Sequence, residues 1–186
     1  MNYFQEIVYQ KKIALIGNAS SIFDYENGRK IDECGVVIRM NAGFIKKPDS
    51  QGKRTDILAL SLALKVGDII NEFDPRLVIW ATSKRKLMPQ EYKNIKNFKL
   101  VLHPLLVWFK LRFKLNARPS TGAILANYLA NYCNPINIEL YGFDFFKTKT
   151  FYNKKQHIGP HNPSKEEIFF KNLIFSGRIQ NMQTTI

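Results

Sequence analysis

Six short runs dense in branched and aromatic apolar residues punctuate this chain, at 12–17, 36–39, 58–64, 77–81, 98–103 and 137–141. Runs of this length read as strands buried on both faces, which is the pattern of a parallel sheet covered by helices. The segments between them are helical or mixed. Residues 20–29 form a short helix or turn, and the 58–64 run leads into a helix through Ile69, Ile70 and Phe73. Residues 122–133 have the alanine and leucine content of a helix, with Ser120 or Thr121 as N-cap and Pro135 as stop. A last helix over 163–174 opens on Asn162 and Pro163. Strands alternating with such segments predict an α/β fold: a Rossmann-like, mostly parallel sheet flanked by helices. The 186 residues suit one core, hence a single domain over 1–186, with a polar, aromatic loop or lid at 145–161.

The ends of the runs carry the chemistry. Ile13-Ala-Leu-Ile-Gly-Asn-Ala-Ser-Ser21 and Arg118-Pro-Ser-Thr-Gly122 each place small or hydroxyl residues where an apolar segment meets a helix. Backbone N–H groups and hydroxyls there can hold a phosphate or carboxylate. Gly17-Asn18 is equally a plain turn, and Ser120-Thr-Gly122 equally a helix cap, when either is taken alone. The dinucleotide Gly-x-Gly-x-x-Gly pattern is absent, and Gly52-Lys-Arg-Thr55 lacks the glycine spacing of a P-loop. Val36-Val-Ile-Arg-Met-Asn41 and Ile138-Glu-Leu-Tyr-Gly-Phe-Asp144 end in polar residues, adding Asn41 and Asp144 as candidates.

Charge narrows the partners. The formal net charge is +13, and from Lys93 onward 14 Lys or Arg face 4 Asp or Glu. That excess favours an anion: a nucleotide, a nucleic acid or an anionic membrane surface. The run at 105–115 mixes aromatics with cations and fits a membrane contact, a lipid-linked acceptor or a basic cleft wall. Its last part alternates like a strand. No basic-then-apolar leader opens the sequence and no unbroken apolar stretch is long enough to span a bilayer. With only Cys34 and Cys133, a reducing cytosol is expected, peripheral contact with the inner membrane being an extension of that.

Among titratable residues, His161 precedes the last helix, and imidazole is the side chain best matched to proton transfer near neutral pH. His103 ends an apolar strand and is either structural or part of a cleft. His157 and His161 lack the cysteine or carboxylate companions of a metal site, so no metal is expected. Glu166 and Glu167 complement the positive end of the last helix, and one of them could orient His161. Tyr152, Lys154 and Lys155 are suited to neutralising a departing phosphate. The aromatics Phe145, Phe146 and Phe151 need somewhere to pack. The sequence has no Asp-x-Asp, the usual carboxylate pair for a cation bridging a nucleotide diphosphate. A nucleotide monophosphate leaving group fits better.

Together these residues resemble the sialyltransferase superfamily. Ile13 to Ser21, Ile31-Asp32, Val36 to Asn41 and Gly52-Lys-Arg-Thr-Asp56 resemble the long donor-binding motif of the animal-type enzymes. Arg118 to Gly122 with Leu140-Tyr-Gly-Phe-Asp144 resembles the short motif, and His161-Asn-Pro-Ser-Lys-Glu166 the terminal His-x-x-x-x-Glu motif. The chain is also similar to bacterial sialyltransferases with a Gly-Asn first loop. The resemblance implies a single-domain, GT-A-like variant that takes CMP-sialic acid or a related CMP-sugar such as CMP-Kdo without metal or cofactor. It implies an acceptor hydroxyl on a glycan or glycolipid and transfer with inversion, a role in making surface glycans such as lipopolysaccharide, and no nucleic-acid partner. It assigns donor contacts to Gly17, Asn18, Ser20, Asn41, Ser120, Thr121, Gly122 and Asp144. His161 is implied as general base, and Tyr152 as aid to the leaving phosphate. Phe146 stands where the family carries a second tyrosine. Two other readings remain at this point: a basic nucleic-acid-binding module, and a catalytically silent CMP-sugar-binding protein.

Overall fold

The computed structural model describes residues 1–153 and 159–182. Lys154, Lys155 and His157 therefore lie outside the described residues. In chain order the elements are α1 (Tyr3–Val8), β1 (Lys12–Ile16), a 3-10 turn (Ser20–Asp24), α2 (Gly28–Asp32), β2 (Val36–Met40), α3 (Pro48–Gln51) and β3 (Ile57–Leu60). There follow α4 (Val66–Asp68) with a π-helical continuation (Ile69–Phe73), β4 (Leu77–Trp80), two 3-10 turns (Arg85–Leu87 and Gln90–Asn94), β5 (Lys99–Leu102) and α5 (Leu105–Leu115). The chain ends with α6 (Thr121–Tyr132), β6 (Asn137–Tyr141), α7 (Pro163–Phe175) and β7 (Gln180–Asn181).

The strands form one sheet in the order β5-β4-β3-β2-β1-β6-β7, and every pairing is parallel. The fold is a Rossmann-like α/β sheet flanked by helices, as the six apolar runs predict. Alternate strand residues divide between its faces. Leu15, Ile38, Ala59, Ile79 and Leu140 face the layer holding α1, α5, α6 and α7. Leu58, Val78 and Trp80 face Phe73, Tyr92 and Phe98, while Ile16, Val37 and Tyr141 face Ile22 and Ile31. Burial on both sides is why these strands lack alternating polarity.

Several local signals behave as physics requires. Ser120 caps α6 by accepting from the Ala123 N–H, and Asn162 caps α7 by accepting from the Lys165 N–H, with Pro163 in the first turn. Elements that escape the sequence reading include α1, α3 and β7. Helix α1 starts from an Asn2/Gln5 capping box, and β7 is a two-residue edge strand with no apolar pattern. The 105–115 segment is helical throughout, which corrects its strand-like reading.

His103 is structural. It is 1% exposed, its ring lies edge-on to Tyr128 with centroids 4.9 Å apart, and neither ring nitrogen has a hydrogen-bond partner among the described residues. Burial, and then the nearby Arg85 guanidinium, push its pKa from 6.5 down to about 4. The fold thus favours the neutral ring. Its stabilising effect is complete above pH 6.5 and is lost as pH falls toward 4, where the unfolded chain binds the proton first. Urea unfolding at pH 7 and at pH 4 should differ by about 3 kcal/mol more in the native protein than in a His103→Phe variant.

Candidate functional site

The chain order of the strands reverses direction between β1 and β6. In open α/β sheets ligands bind outside the carboxyl ends of the strands at such a switch point. A cavity of about 360 Å³ opens there. Its lining includes Gly17, Asn18, Asn41, Ser120, Thr121, Gly122, Asp144, Tyr152 and His161. Of the ten residues expected at the site, only Ser20 is missing from that lining; its N–H is donated to the Lys149 carbonyl at 2.9 Å.

Two glycines make the crevice possible. The Gly17 N–H donates to the Tyr141 carbonyl at 2.6 Å, and a β-carbon at Gly17 would stand 2.2 Å from the Gly142 carbonyl oxygen. Gly142 itself has φ +71°. The β1 and β6 chains therefore leave the sheet in backbone contact, with no side chain between them. Gly122 packs against Phe143, so the first turn of α6 lies close to the β6 end. First-turn N–H groups have no intrahelical acceptor and carry the positive end of the helix dipole, here directed at the cavity.

The polar side chains hold one another in place. Asn41, at φ +50°, accepts from the Ser61 N–H at 2.9 Å and donates to Thr121 Oγ1 at 3.2 Å; Thr121 donates in turn to Ser61 Oγ at 2.9 Å. Asn18 donates to the Met40 carbonyl at 2.9 Å and reaches the Tyr152 hydroxyl at 3.5 Å. Burial raises the pKa of Tyr152, so its hydroxyl keeps its proton as a donor. Asp144 ties down its own loop, accepting from Ser21 Oγ at 3.2 Å and from Thr148 N and Oγ1 at 2.9 and 2.5 Å. Ser61 and Thr148 are absent from the residues that the sequence singles out. The one signal for Ser61 is its place as the first polar residue after the β3 run, and Thr148 carries none.

His161 is oriented by a different partner from the one expected. Its Nδ1 lies 2.8 Å from the Arg118 carbonyl oxygen. A carbonyl oxygen only accepts, so Nδ1 carries a proton, and in the neutral ring the lone pair is then on Nε2. That tautomer is the form able to act as a general base. Glu166 does not orient His161. It is 2% exposed and accepts from Ser120 N at 2.7 Å and Ser120 Oγ at 2.6 Å. Burial raises its pKa, and the two Ser120 bonds work against that rise. Glu166 thus ties the start of α7 to the start of α6. Glu167, by contrast, is a surface residue 3.0 Å from Lys171.

The loop aromatics find their places. Phe145 and Phe146 both have positive φ, +58° and +67°, costly for bulky residues and typical of functional loops. Phe145 packs on Phe170, and the Phe146 ring sits 5.9 Å from that of His161. Phe151 packs on Phe23.

Arg39 and the Gly52–Asp56 stretch serve the frame instead. Arg39 is buried within β2 and donates to the Gln51 and Arg54 carbonyls and to Thr55 Oγ1. Asp32 accepts from the N–H groups of Lys53 and Arg54. Neither Cys34 nor Cys133 is in a disulfide. Among the described residues, no group of three or more His, Cys, Asp or Glu is arranged to hold a metal ion.

No protein-family profile and no curated protein matches the sequence. Solved structures do. A mammalian sialyltransferase in complex with Gal-beta-1-3GalNAc-ortho-nitrophenol aligns with 96% of this chain and 71% of its own, at TM-score 0.64 and 17% identity. The two chains share a fold. The sialyltransferase CstII from Campylobacter jejuni in complex with CMP-3FNeuAc aligns over 92% of this chain and 81% of its own, at TM-score 0.62 and 16% identity. The same enzyme in complex with cytidine-5'-monophosphate aligns over 94% and 80%, at TM-score 0.65 and 15% identity. At such identities the likeness is one of architecture.

Proposed function

We propose that the protein is an inverting glycosyltransferase that moves sialic acid or a related acidic sugar from a CMP-sugar to a hydroxyl of a glycan or glycolipid. One observation carries this reading. The Gly17-Asn18 turn, the first turn of α6 and His161, whose Nδ1 donates to the Arg118 carbonyl, border one cavity at the strand switch point. The CMP and CMP-3FNeuAc complexes of the CstII structures, and the Gal-beta-1-3GalNAc-ortho-nitrophenol complex of the mammalian one, support it by analogy.

Under this proposal the α6 N-terminus and the Asn18 and Asn41 turns hold the donor's phosphate, ribose and sugar carboxylate. His161 Nε2 takes the proton of the acceptor hydroxyl. The acceptor oxygen forms a bond to the anomeric carbon from the face opposite the phosphate, and the bond from that carbon to the phosphate oxygen breaks. Both electrons leave with CMP, and the Tyr152 hydroxyl donates to the departing phosphate. A monophosphate leaving group bears less charge than a diphosphate, so these donors replace a bridging cation.

Incubation with CMP-sialic acid and CMP-Kdo, with and without EDTA and with lactose- or galactose-terminated acceptors, tests this directly. Release of CMP coupled to sugar transfer, unchanged by EDTA, is expected. CMP binding without sugar release points to a silent sugar-nucleotide-binding protein, a reading that Phe146 favours because its ring has no hydroxyl to offer the phosphate. A Phe146→Tyr variant should accordingly raise kcat, by up to ~10²-fold if its hydroxyl reaches the phosphate, the value of one preorganised donor. An unchanged kcat rejects that role for position 146.

A further inference from the structure

Helix α5 has two apolar faces, and only one of them is covered. Val107, Trp108, Leu111 and Leu115 are buried in the core. On the opposite side Leu106, Phe109 and Phe113, spaced three and four apart, are 68%, 45% and 81% exposed. At 100° per residue they form one outward stripe. Lys110 and Lys114 flank that stripe on one side and Arg112 on the other. The helix carries no acidic residue, and none of the three cations forms an ion pair among the described residues. The stripe extends from the sheet's edge strand, β5, whose last residue Leu102 is 45% exposed.

We infer that the outward face of α5 docks on an anionic lipid bilayer. An apolar stripe with aromatic tips, bordered on both sides by Lys and Arg, is the arrangement of a helix lying in a membrane interface. The rings enter the acyl boundary while the cations meet lipid phosphates. Charge argues against the other occupant, a second copy of the chain. Two such helices face to face would bring cationic flanks against cationic flanks in either orientation, with no carboxylate on α5 to offset them. No helix among the described residues is long and apolar enough to cross a membrane, so the contact is peripheral.

Full-length protein sedimented with vesicles tests the inference independently of any sugar transfer. The comparison is phosphatidylcholine alone against phosphatidylcholine with roughly one-third phosphatidylglycerol, at low and high salt. Binding to the anionic vesicles is expected to be at least ~10-fold tighter and to weaken as salt rises. A Phe113→Ser variant should lose several-fold of that binding while keeping the native thermal midpoint, because that ring is 81% exposed, and adding Phe109→Ser should take the loss to ~10-fold or more. A separate Lys110→Gln/Arg112→Gln/Lys114→Gln variant should fall toward the level of neutral vesicles, each cation contributing roughly five-fold. Equal binding to both vesicle types, binding unaffected by either variant, or a dimer in sedimentation velocity that the phenylalanine variant breaks would overturn it.

Discussion

Under the proposed reaction a His161→Ala variant should transfer sugar ~10²- to 10⁴-fold more slowly than the native protein, the range that a positioned general base supplies. The structural reason is specific. The Arg118 carbonyl, 2.8 Å from Nδ1, holds a proton there, so in the neutral ring Nε2 is the nitrogen able to accept one. Alanine removes the base and leaves the donor loops standing, since Ser120 is held by Glu166 and Asn41 by Ser61. The loss should therefore appear in kcat, with CMP affinity within about threefold of native. Parallel single-turnover kinetics and CMP titration calorimetry separate the two. Native kcat in the variant removes His161 from the chemistry. Equal loss of CMP affinity gives it a donor-binding role instead.

The second large effect is on the frame. A Gly17→Ala substitution places a methyl group 2.2 Å from the Gly142 carbonyl oxygen and 2.9 Å from its carbon, both backbone atoms that no rotamer change can move. Relief requires β1 and β6 to separate at the switch point, which breaks the 2.6 Å Gly17–Tyr141 hydrogen bond as well. The cost should exceed ~4 kcal/mol, the severe end of single substitutions. For a chain of this size that lowers the thermal midpoint by roughly 8–16 °C. Gly67→Ala is the matched control. Nothing lies within 4 Å of the site where its β-carbon would stand, and it sits in helix α4, so that change should leave the midpoint within a few degrees. A Gly17→Ala protein that melts at the native temperature would show that the ends of β1 and β6 are not in contact.

Much of the frame was legible because parallel strands buried on both faces leave unbroken apolar runs. β1, β4 and β6 announce themselves that way, and α7 by its Asn162-Pro163 start. The 105–115 helix misleads for the opposite reason. Apolar residues on two of its sides imitate a period of two, as in Phe109-Lys-Leu-Arg-Phe-Lys-Leu115, and only packing reveals which side is covered. The residues that line the cavity were legible only as a group, because Gly17-Asn18 alone is equally a plain turn and Ser120-Thr-Gly122 alone equally a helix cap. Their pairings were not. Glu166 and Ser120 meet across 46 positions of sequence, so nothing local distinguishes that buried bond from ordinary dipole pairing at a helix start. Arg39 shows the same limit. It sits within an apolar strand run, and only the folded chain shows that its Nε and one terminal nitrogen bond three oxygens of the loop behind it.

The most direct measurement is a crystal structure of the native protein with CMP. The nucleotide phosphate is predicted beside the first turn of α6, within hydrogen-bond reach of the Thr121 or Gly122 N–H, with the cytidine lodged in the same cleft as Asn18. CMP bound on the basic surface away from the β1–β6 crevice, or no binding at millimolar concentration, contradicts the proposed donor site.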